Sequence, residues 1–70
     1  MQHHRPQYAD ALVEGSQAAH DLADALKLAG FSLPSLCGDL PTITDKALVH
    51  LGGASAELVR ELAAWIRERA

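Results

Sequence analysis

A single cysteine, Cys37, stands among these 70 residues, so no disulfide can close within one chain. A lone thiol suits a reducing compartment, and no Cys/His spacing here makes a closed structural zinc site. Aromatic residues are nearly as scarce, with Tyr8, Phe31 and Trp65 alone. β-Branched runs are lacking too. Alanine and leucine supply much of the 49% hydrophobic content, which favours helix over strand. No apolar stretch approaches the ~20 residues that span a bilayer. Met1-Gln2-His3-His4-Arg5-Pro6 has no apolar signal-peptide core behind it. The expected location is cytoplasmic.

Positive charge is also in short supply. The net charge is −3. Residues 8–29 set Asp10, Glu14, Asp21 and Asp24 against Lys27, while residues 55–70 balance Arg60, Arg67 and Arg69 against Glu57, Glu61 and Glu68. That distribution leaves no basic face to drive phosphate binding and argues against a nucleic-acid partner.

What remains is a short chain that must fold without cross-links. A domain this small buries about 60% of its unfolded surface, which makes association with another chain a physical expectation. Residues 1–6 read as a disordered leader and residues 7–70 as a single helical domain. From Gln7 to Ala29 the residues are helix formers, with Pro6 suited to a first turn. Gly30 is the expected left-handed stop, with Phe31 packing back on Leu26 in a Schellman ending.

Pro34, Gly38 and Pro41 exclude a helix throughout residues 31–42, yet Phe31, Leu33, Leu36, Cys37 and Leu40 are too apolar for a free linker. The expectation is an ordered apolar loop. Thr42 or Thr44 can cap a short helix over Ile43–Leu51, and Ser55 a third helix running nearly to Ala70. The expected fold is all-α, a three-helix bundle with one long N-terminal helix.

The long helix carries a seam, Tyr8, Leu12, Gly15, Ala19, Leu22, Leu26 and Ala29, at alternating steps of four and three. Beside it run Ala11, Ala18 and Ala25. Such an arc either wraps the chain's own core or faces a second subunit.

Leu51-Gly52-Gly53-Ala54-Ser55 resembles the attachment motif of peptidyl carrier proteins, where a serine at the start of a helix carries phosphopantetheine. That resemblance implies Ser55 as the attachment site of a truncated carrier-like domain. Ala54 replaces the usual His or Asp, and such domains continue for two more helices, whereas this chain ends at Ala70. Ordinary capping chemistry explains the same residues, a Gly-Gly stop followed by a serine N-cap. Residues 43–69 can also be read as a DNA-binding helix-turn-helix with the turn at Gly52-Gly53. One register puts Gly52 where an apolar residue belongs, and the other turns Glu61 into the core.

No residue set points to catalysis. His3 and His4 adjoin on the leader, His20 stands four before Asp24, and His50 sits near the end of the expected second helix. Solvated or capping roles suit all four. Cys37 reads as a small hydrophobe in an apolar loop. The glycine pair lacks a Walker lysine.

The passage Ala25-Leu26-Lys27-Leu28-Ala29-Gly30-Phe31-Ser32-Leu33-Pro34-Ser35-Leu36, with Leu48-Val49-His50-Leu51-Gly52, is similar to small helical proteins of high-GC actinobacteria. This resemblance implies one compact helical domain and carries no activity onto any residue. The sequence thus points to a non-enzymatic protein–protein interaction module, homodimeric or an accessory subunit, in which a regulatory role would fit. No catalytic residue, cofactor, metal, membrane or small-molecule substrate is expected, and the partner is itself or another protein. The expected contact surface is Ala11, Gly15, Ala18, Leu22 and Ala25 of the first helix with Trp65 of the last.

Overall fold

The computed structural model describes residues 6–70, the side chain of Pro6 excepted. Its elements run α1 (Pro6–Ala29), β1 (Cys37–Asp39), β2 (Leu48–His50) and α2 (Ala56–Arg69). The leader expected over residues 1–6 therefore lies outside the described residues apart from Pro6, which opens α1.

Helix α1 ends as its sequence dictates. Gly30 adopts φ 86°, its N–H donates to the Lys27 carbonyl at 3.0 Å, and Phe31 N–H donates to the Leu26 carbonyl at 2.8 Å. These are the two bonds of a Schellman motif, and glycine alone enters that conformation without a Cβ penalty. A turn follows, closed by Leu36 N–H on the Leu33 carbonyl at 3.2 Å, with Pro34 in its second position.

The expected three-helix bundle is overturned by what comes next. Residues 37–50 form a β-hairpin, so the molecule has two helices and a two-stranded antiparallel sheet, with Cys37 opposite His50, Gly38 opposite Val49 and Asp39 opposite Leu48. The helix expected over Ile43–Leu51 is absent. Asp45 stands at φ 60°, a left-handed conformation that interrupts any helix through this stretch.

The hydroxyl expected to cap that helix closes the hairpin instead. Thr42 Oγ1 accepts from Lys46 N–H at 3.0 Å, while the Thr42 carbonyl accepts from Asp45 N–H at 2.8 Å and Thr42 N–H donates to the Lys46 carbonyl at 3.1 Å. This is a three-residue hairpin loop built on a tight turn followed by a left-handed residue. Thr42 faces Lys46 and Asp39 faces Leu48, which leaves Leu40 and Pro41 opposite Ala47. Two residues against one make a bulge, a place where a proline without an N–H is tolerated.

The hairpin lies flat on α1 because two glycines let the backbones meet. A Cβ on Gly15 would stand 2.5 Å from the Leu48 carbonyl oxygen, and one on Gly38 would stand 2.8 Å from Ser16 N. Ala11 (4% exposed), Ala19 (5%) and Leu26 (7%) are the buried hydrophobic residues among those described. No described large side chain is fully buried. At about 0.8 kcal/mol per buried CH2, a core dominated by alanine methyls and glycine contacts is thin.

Helix α2 begins where Ser55 Oγ accepts from Leu58 N–H at 3.1 Å, with Ser55 in extended backbone geometry. Gly52 precedes it at φ 77°, and a Cβ there would collide with Ser35. None of the residues of α2 is buried. No Cα of α2 comes within 8 Å of a Cα in α1 or either strand. One contact with the rest is edge-to-face, between Trp65 and Phe31, with centroids 6.4 Å apart and planes at 83°.

Candidate functional site

Three places have the makings of a site: the exposed flank of α1, the uncovered face of α2, and a cleft between α1 and β1. The flank of α1 is what remains after the hairpin is seated. Ala11 and Gly15, both expected in the contact surface, are buried within the chain, Gly15 against the Leu48 backbone of the hairpin. Ala18, Leu22 and Ala25 are exposed. They follow one another at steps of four and three, which keeps them on one face. Trp65, the sixth residue, is half-buried against Phe31. Within the seam Gly15, Ala19 and Leu26 are buried and Leu22 alone is exposed, whereas Ala18 and Ala25 of the flanking row are open.

The α2 face divides in a similar way. Leu58, Leu62, Ala63 and Trp65 are half-buried, whereas Val59 (51% exposed) and Ile66 (52%) are open. Arg69 folds back over the Trp65 ring, its guanidinium carbon 4.1 Å from the centroid, and Nη1 donates to the Trp65 carbonyl at 2.9 Å. That cation–π contact and C-terminal bond together fix the end of the helix. Arg69 also pairs with exposed Glu68 at 3.3 Å, an interaction of little energetic weight at a solvated surface.

The cleft, of about 180 Å³, is lined by Ser16, Ala19, His20, Ala23, Leu36, Cys37 and Gly38. It brings an exposed thiol, an imidazole and a hydroxyl to one place. The cross-strand pairing adds His50 opposite Cys37. Cys37, expected as a small hydrophobe in an apolar loop, is exposed on a strand. The signal lay in Cys37-Gly38-Asp39, whose central glycine marks a close backbone approach. Among the described residues, no three His, Cys, Asp or Glu side chains are placed to hold a metal ion.

Ser55, the residue the carrier resemblance singled out, spends its hydroxyl on the α2 N-terminus. Residues 43–51 form a turn and a strand, so the paired helices expected over residues 43–69 are not there. No described helix is long and apolar enough to cross a membrane. Comparison of the chain with family models, with curated proteins and with solved structures returned no match.

Proposed function

We propose that this protein is a non-enzymatic protein–protein interaction module that works by presenting apolar helix faces, and that its form is a homodimer. One observation carries the reading: α2 holds an apolar row of Leu58, Val59, Leu62, Trp65 and Ile66 yet buries none of its residues. An amphipathic helix draws most of its stability in water from packing that row, and 14 residues alone are at the margin of helix formation. The exposed stripe Ala18, Leu22 and Ala25 on α1 supports the same reading from the other side of the molecule.

The radius of gyration agrees in direction. It is 15.2 Å, where a compact domain of this length has about 11 Å. The purified protein is expected to sediment as a dimer, and Ala18→Glu, which sets a charge in the stripe, is expected to weaken dimerisation at least tenfold. A wild-type monomer at high micromolar concentration would overturn the homodimer.

A further inference from the structure

The open faces of α1 and α2 complement each other in three independent ways. The first is spacing. On α1 the stripe runs Ala18, Leu22, Ala25, and on α2 it runs Val59, Ala63, Ile66, each at steps of four and three. The second is size. Set side by side in the same direction, the rows give Ala18 against Val59, Leu22 against Ala63, and Ala25 against Ile66. Every layer then joins one alanine to one larger aliphatic side chain, the alternation that lets facing positions interdigitate.

The third is charge. Glu14 and Asp21, seven residues apart, border the α1 stripe, while Arg60 and Arg67, also seven apart, border the α2 row. All four are exposed, and none forms an ion pair among the described residues. In heptad terms the acids occupy g and the arginines e, where charges select partner and direction in paired helices. In a parallel pair g faces e, bringing Glu14 to Arg60 and Asp21 to Arg67 in the same register that layers the alanines. An antiparallel pair turns the arginines away from these acids.

Within one chain these faces stand apart, since α2 approaches no part of α1 within 8 Å between Cα atoms. Resting on the interaction-module reading, we infer that the occupant of each face is a second copy of this chain. Helix α2 of each copy packs parallel to α1 of the other. A twofold exchange satisfies both surfaces of both chains at once, which a partner covering one face does not. The available area is sufficient, since the chain exposes 5414 Å². A standard interface removes about 800 Å² from each partner.

Charge reversal tests the pairing with the full-length chain in reducing buffer, followed by sedimentation. Arg60→Glu with Arg67→Glu is expected to weaken the dimer at least tenfold, and Glu14→Lys with Asp21→Lys to do the same. Mixing the two double variants is expected to restore a dimer of wild-type affinity, because every reversed side then meets a reversed partner. Rescue on mixing assigns the loss to the charges, because substitutions that damage the fold of the chain itself are not corrected by a second chain carrying the opposite reversal. A dimer insensitive to all four reversals, or variants weakened without rescue, would overturn the pairing and leave the interaction module standing. A wild-type monomer with α2 folded onto its own α1 would overturn both.

Discussion

Glycine decides more of this fold than any larger residue. In a helix interior Gly15 costs about 1 kcal/mol relative to alanine, a loss that only a close neighbour offsets. That neighbour is the Leu48 carbonyl, 2.5 Å from where a Cβ would sit. Gly15→Ala is therefore expected to destabilise the protein by about 1–3 kcal/mol despite the better helix propensity. A urea titration measures this, and an unchanged or raised midpoint would contradict the seating of the hairpin. Gly38 meets the helix from the opposite side, beside Ser16, so the two glycines act as one contact. Read singly, each looked like a local feature, a small residue in a seam and a breaker in a loop. Their shared purpose is a tertiary fact, and spacing within one segment does not carry it.

At the scale of elements, both helices were legible because their ends are written in local chemistry. Gly30 stops α1 and Ser55 caps α2, and neither depends on distant residues. The hairpin was not legible. Ile43, Ala47, Leu48 and Leu51 fall at helical spacing, a threonine precedes them, and each paired strand is only three residues long. A nine-residue helix nucleates poorly by itself, and the hairpin instead gains a backbone seat on α1. Two of the six expected contact residues shared this fate, since Ala11 is buried and Gly15 lies against the hairpin that the helical period concealed. Of the loop's apolar residues, Phe31, Leu33 and Leu36 are half-buried, with Phe31 meeting Trp65, whereas Cys37 and Leu40 are exposed. A double-mutant cycle of Phe31→Leu and Trp65→Leu is expected to give a coupling of about 0.5–1.5 kcal/mol. Additive effects would show that α2 is held by something other than this ring pair.

For the whole molecule, the thin core and the bare helix define what stability must look like. A two-stranded sheet is marginal unless packed on a helix, and here it is packed through glycine and alanine on one side only. In the proposed homodimer, assembly becomes part of folding, and stability is expected to rise with protein concentration. A tenfold dilution is expected to cost about 1.4 kcal/mol, which for a domain this small lowers the Tm by several degrees. Thermal scans across two decades of concentration would reveal it, and a constant Tm would separate folding from assembly.

The solitary sulfhydryl on β1 has a practical consequence. Because Cys37 is the chain's one cysteine and is exposed, a nitroxide or fluorophore attaches there without engineering, on a strand clamped to the longest helix. In the proposed dimer the two labels define a single span, a built-in ruler for how the two bodies are arranged. The same group makes air oxidation a source of false covalent pairs.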